Sequence, residues 1–187
     1  MDRFRSLAPF AALAVTLAVA APALAGSDAA PRAALATDLM EQARDSAFEL
    51  RRSAARLDSM SGSKMNSTQA HRWELAGMRD DVNRLGVLLS HLEQIAPETT
   101  PLQQRTIAGV KTHVQALADA ATKAIELKSD NAANRLFPEY RAAVTTIYRS
   151  AAELDRMLDA VLDYKEAHAR LAEVEASASG AAAVRRE

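Results

Sequence analysis

The chain has 187 residues, a formal net charge of −1 and no cysteine. That length suits one domain with appendages, and interspersed charges of both signs exclude the clustered positive surface that nucleic-acid binding needs. The absence of cysteine excludes disulfides, a lipid-anchored N-terminal Cys and c-type haem attachment. Four Phe, three Tyr and one Trp against abundant Ala and Leu describe helices packed by small and aliphatic side chains.

Residues 1–25 read as an export signal. Arg3 and Arg5 give a basic start, Leu7 to Ala21 an apolar stretch, and Pro22-Ala23-Leu24-Ala25 a small-residue cleavage site before Gly26. An uncleaved anchor is the alternative, but Pro9 and Pro22 shorten the clean apolar run below the ~20 residues of a bilayer span. The expectation is a cleaved signal peptide, a periplasmic or secreted location, and no membrane span in the mature chain.

Residues 26–31 form a flexible lead-in. Helix 1 starts near Pro31 or Thr37 and ends by Ser59 to Gly62, where a Ser-rich loop follows. Ser67 or Thr68 caps helix 2, which Pro97 stops after Ala96. Thr100-Pro101-Leu102-Gln103 is a helix start in three parts: Thr as N-cap, Pro at the first helical position, Gln at N3 to close a capping box. Helix 3 runs to about Lys128. A longer connection through Ser129-Asp130-Asn131 reaches Phe137, and Pro138 opens helix 4, which continues past Tyr164. From Glu175 to Glu187 the sequence loses its periodicity, and this tail is expected to be disordered.

A repeat alternating four and three residues runs through all four segments. It reads Ala36, Met40, Ala43, Ala47, Leu50, Ala54, Leu57 in the first and His71, Leu75, Met78, Val82, Leu85, Leu89, Leu92, Ala96 in the second. The third carries Ile107, Val110, Val114, Leu117, Ala121, Ala124, and the fourth Tyr140, Val144, Ile147, Ala151, Leu154, Leu158, Val161. One such stripe per helix predicts an all-α, up-down-up-down four-helix bundle over residues 32–174.

The stripes contain no carboxylate, which removes the inward Glu residues a di-iron bundle requires. They turn polar only at their ends: His71 opens the second, and Lys165 and His168 continue the fourth. In this topology Met40 on helix 1 and His168 on helix 4 share one end, an arrangement similar to the cytochrome b562 type, whose Met and His ligate haem from opposite sides. A b-type haem or metal-binding bundle is therefore the alternative reading. The plainer one has helix 4 outrunning its partners, with Lys165 and His168 in water. His71 likewise reads as the rim of the core.

Other features have plain readings too. Asp80 and Asp81 are adjacent and point ~100° apart on a helix, so they cannot form a dyad; an Asp80–Arg84 pair on a charged face is expected. Gly86 within helix 2 is expected to admit close approach of a neighbouring helix, or of a partner, with packing as the plain reading. Trp73 is expected to cover the bundle end. Arg51, Arg52 and Arg56, flanked by Glu49 and Asp58, read as mixed surface.

Met78 to Glu93 (MRDDVNRLGVLLSHLE), the Ala-rich third helix and Phe137-Pro138-Glu139-Tyr140 together resemble a group of small exported bacterial helical-bundle proteins with no assigned activity. The resemblance covers roughly residues 65–165 and implies the compartment and the bundle, with no functional residue. The expected function is non-enzymatic: an interaction or structural role in the cell envelope, as a homodimer or with an envelope protein, presenting helix faces or the Lys165 to Val174 extension. No catalytic residue, metal ligand set or resident cofactor is expected outside the Met40–His168 haem alternative.

Overall fold

The computed structural model describes residues 29–61, 68–130 and 137–184. The proposed signal peptide, the start of the lead-in and the Ser67 cap lie outside the described residues. Four helices account for nearly all of the rest: α1 (Ala29–Ser61), α2 (Thr68–Ile95), α3 (Pro101–Asp130) and α4 (Pro138–Val184), with one 3₁₀ turn at Ala96–Glu98 between α2 and α3. The fold is an all-α four-helix bundle.

Ion pairs and hydrogen bonds between helices fix the antiparallel order. Arg56 on α1 meets Glu74 on α2 at 2.7 Å, and Glu93 on α2 meets Lys111 on α3 at 2.8 Å. Between α1 and α4, Thr37 pairs with Lys165, Arg44 with Asp159, and Asp58 with Arg141, so position climbs on one helix as it falls on the other. These pairs are largely exposed and set register more than they stabilise.

The core is the four stripes. Every position from Ala36 to Leu57, from His71 to Leu92, from Ile107 to Ala124 and from Tyr140 to Leu158 on the repeat is buried, while Ala96 and Val161 are half-buried where the bundle opens. Heptad spacing keeps one seam facing inward over about five to six helical turns, which a polar interruption would break. No carboxylate lies on the seam, but one flanks it: Asp155, beside Leu154, is buried and reaches Arg51 of α1 at 2.9 Å.

Three local details differ from the reading of the sequence. Gly86 has nothing within 4 Å of where a Cβ would stand, so it admits no neighbouring helix. That role belongs to Gly109 on α3, where a Cβ would lie 2.7 Å from Met157 Sδ of α4. Trp73 is 69% exposed and so is not the residue that covers the bundle end. Asp80 takes its ion pair from the adjacent Arg79, at 3.1 Å.

The largest difference is at the end of α4. The helix starts before the expected lead-in boundary in α1 and, in α4, runs through Val184, well past Glu175. Residues 166–178 are all exposed, so no packing against the described residues holds them. The physical reason is composition and continuity. Ala, Leu, Glu and Arg are good helix formers, and a helix already nucleated by the bundle adds further turns without a second nucleation cost.

Candidate functional site

The polar exceptions on the seam sit at opposite ends of the bundle. At one end are the last turn of α1 and the first turns of α2 and α4. There the ring of His71 is fully buried, and its Nε2 shares a 2.7 Å hydrogen bond with the hydroxyl of Tyr140, also fully buried. The rings are tilted at 45° with centroids 5.4 Å apart. His71 thus lies deeper than a rim residue. The sequence placed both residues on the seam but gave no sign that they bond. The pair ties α2 to α4 across the core, a cross-helix polar clamp that identifies register.

At the other end a polar network closes the bundle. Gln103 completes the expected capping box: its N–H donates to Thr100 Oγ1 at 3.3 Å, and its Oε1 accepts from Thr100 N–H at 3.1 Å. Its Nε2 then reaches across to α1, donating to the Ala33 carbonyl at 2.8 Å and to Thr37 Oγ1 at 3.4 Å. Lys165 Nζ donates to the same Thr37 hydroxyl. Gln103 is buried and Lys165 half-buried, so the lysine is bound into the closure of the bundle.

Beside this network a groove of about 560 Å³ opens between the start of α3 and the outer part of α4. Thr100, Pro101 and Leu102 form one wall; Val161, Tyr164 and His168 form much of the other. Leu102 and Tyr164 are exposed along it, and the Tyr164 ring lies 6.0 Å from that of His168. The groove is apolar with few polar groups converging on it.

Met40 and His168 are not brought together. Thr37 lies opposite Lys165 and Arg44 opposite Asp159, which sets Met40 level with Leu162 on α4. His168 is then about 9 Å further along the axis at 1.5 Å per residue. Met40 is sealed in the apolar core, whereas His168 is exposed on the projecting part of α4. A haem held by both would need its two ligands facing one plane, and this arrangement does not fit that group.

The remaining charged candidates have partners of their own. Arg51, Arg52 and Arg56 meet Asp155, Glu49 and Glu74 at 2.9, 3.1 and 2.7 Å. Arg51 also stacks over Phe48, 5.1 Å from its centroid. Burial raises the Asp155 carboxyl above its ordinary range, the nearby Arg51 charge opposing it. Asp81 is raised for the same first reason, with Arg84 opposing. His113 approaches Glu153 only to 3.9 Å, and His91 is exposed. Among the described residues no three His, Asp or Glu side chains converge as a metal site, and no helix is long and apolar enough to cross a membrane.

Comparison with protein-family models, with curated proteins and with solved structures gave no match to this chain.

Proposed function

We propose that this is an exported protein, processed after Ala25, whose four-helix body is a scaffold and whose working surface is the projecting half of α4, used to contact another protein in the cell envelope. The observation that carries this reading is the projection itself. Past Lys165 the helix continues to Val184 with large apolar side chains in water: Leu171 and Val174 are 62% and 65% exposed. Scattered exposed apolar residues need no explanation, but an apolar row on a helix with no covering layer marks a contact surface.

His71 is engaged with Tyr140, Lys165 with Thr37, and Asp155 with Arg51, so these three polar groups along the bundled part of the seam already serve the fold. That leaves surface recognition as the reading best supported, with the seam as its rigid support.

The test compares the full chain with one ending at Lys165. Residues 166–187 are expected to contribute little to the melting temperature, since residues 166–178 are all exposed. Their removal is expected to abolish association, read as mass by light scattering and as a photo-crosslink from position 171 in the native envelope. Mass spectrometry of the envelope form is expected to give an N-terminus at Gly26. Equal masses together with no crosslink in the full chain would overturn the reading.

A further inference from the structure

We propose that the groove between the start of α3 and the outer part of α4 binds a free, single-chain fatty carboxylate of medium length, with Lys165 and His168 at its charged end and apolar side chains along its tail. This site is additional to the protein contact proposed for Leu171 and Val174.

At about 560 Å³ the groove has the size of a small-molecule site. Leu102, Ala160, Val161 and Tyr164 give it apolar walls, exposed at every one of these residues but the half-buried Val161. Lys165 and His168 bring ionisable nitrogens, and no Asp or Glu lines the groove. The neighbouring carboxylates serve other partners: Glu166 bonds Arg170, and Glu98 pairs with Arg32 at 3.4 Å. Asp163 stands two residues from Lys165, on the far side of the helix. The charge in this lining is therefore positive.

Lys165 gives that charge its consequence. It is half-buried, and its hydrogen bond goes to a neutral group, the Thr37 hydroxyl. That hydroxyl donates to the Ala33 carbonyl at 2.8 Å and accepts from Gln103 Nε2 at 3.4 Å as well, so its oxygen has no further capacity. An ammonium carries three N–H donors. Among the described residues no ion pair includes Lys165 or His168. An alkyl chain laid in the groove brings its end group against this cation. A carboxylate there gains charge-assisted hydrogen bonds, whereas a second cation would be repelled and partly desolvated.

Length narrows the class. From His168 back to Ala160 the groove runs about 12 Å at 1.5 Å per residue. An extended chain advances about 1.2 Å per bond, so about ten bonds fill that span. Decanoate is the matching probe, its carboxylate between Lys165 and His168 and its tail over Val161 and Ala160 beside Leu102. One groove of this length takes one chain, which selects a free carboxylate over a two-chain bilayer lipid.

Calorimetry on the full chain tests this with decanoate, decanol and decyltrimethylammonium, each below its micellar concentration. Decanoate is expected to bind most tightly and decyltrimethylammonium at least roughly tenfold more weakly. Lys165→Gln keeps a donor for Thr37 but removes the charge. It is expected to weaken decanoate roughly tenfold and to leave decanol unchanged. His168→Ala, at an exposed position, is expected to weaken decanoate roughly threefold. Leu102→Asp puts a carboxylate beside the tail and is expected to weaken decanoate and decanol alike, with helical circular dichroism unchanged. These variants separate the groove from any other apolar segment of the chain. Equal affinity for decanoate and decyltrimethylammonium, or decanoate affinity unchanged in all three variants, would overturn the proposal. Binding to phosphatidylglycerol vesicles with none to free decanoate would overturn it too.

Discussion

The Nε2 of His71 and the hydroxyl of Tyr140 lie 2.7 Å apart in the core, joining the first turn of α2 to the first turn of α4. Removing the hydroxyl alone leaves a buried imidazole short of that partner, which costs about 1–2 kcal/mol. Tyr140→Phe is therefore expected to lower the melting temperature by roughly 2–8 °C, using 2–4 °C per kcal/mol for a chain of this size. Trp73→Ala, at a position 69% exposed, is the control and is expected to stay within about 0.5 kcal/mol of the parent. Calorimetry on both variants checks this. Equal effects would mean that the His71–Tyr140 bond does not clamp the end of the bundle.

Gly86 and Gly109 should respond unequally to the same substitution. Nothing lies within 4 Å of a Cβ at Gly86, so Gly86→Ala is expected to stabilise by about 0.5–1 kcal/mol through helix propensity alone. At Gly109 the added methyl would stand 2.7 Å from Met157 Sδ. That sulfur belongs to the far end of the flexible, half-buried Met157 side chain, which must swing aside at some cost, so Gly109→Ala is expected to gain less than Gly86→Ala. Urea midpoints with unchanged slopes measure both, and an equal gain would mean that Met157 yields at no cost.

The third expectation concerns Gln103, which serves two ends at once. Gln103→Ala removes half of the capping box and the bond to the Ala33 carbonyl, and a loss of about 2 kcal/mol is expected. Thr100→Ala removes only the N-cap and is expected to cost about 1 kcal/mol. Thermal melts of the two variants compare them; an equal loss would show that the reach to α1 adds nothing.

Asp155 gives a pH dependence with a defined sign. Burial places its folded-state pKa above the ordinary 3.8, despite Arg51. A carboxyl raised on folding contributes stability below its unfolded pKa and loses that contribution as pH rises through the folded value. The stability of the parent minus that of Asp155→Asn is therefore expected to decrease from acid toward neutral pH. Denaturant unfolding across that range measures it. An increase would mean that the Arg51 ion pair outweighs desolvation at this site.

How far the sequence carried these features follows from their range. The seam through Leu50, Leu85, Val110 and Ile147 was legible because burial in a bundle imposes a local period, and each of those residues is buried. The Thr100–Gln103 capping box was legible for the same reason, being a contact three residues long. The bond between His71 and Tyr140, the reach of Gln103 to Ala33 and the Asp155–Arg51 pair were not. Each depends on the register between helices distant in the chain, which spacing within one helix does not encode. The pairing of Met40 with His168 failed on the same ground: a shared bundle end is not a shared level. The extent of α4 was missed because loss of an apolar period was read as loss of helix, whereas propensity and propagation sustain the helix without packing.

Hydrogen exchange along α4 tests the central claim most directly. Among the described residues nothing covers residues 166–178, so in an isolated molecule their amides should exchange rapidly, unlike those from Val144 to Leu158 in the core. If the projection is a contact surface, those amides are expected to gain protection as protein concentration rises or when the native envelope fraction is added. Rapid exchange over residues 166–178 under all of these conditions would contradict it.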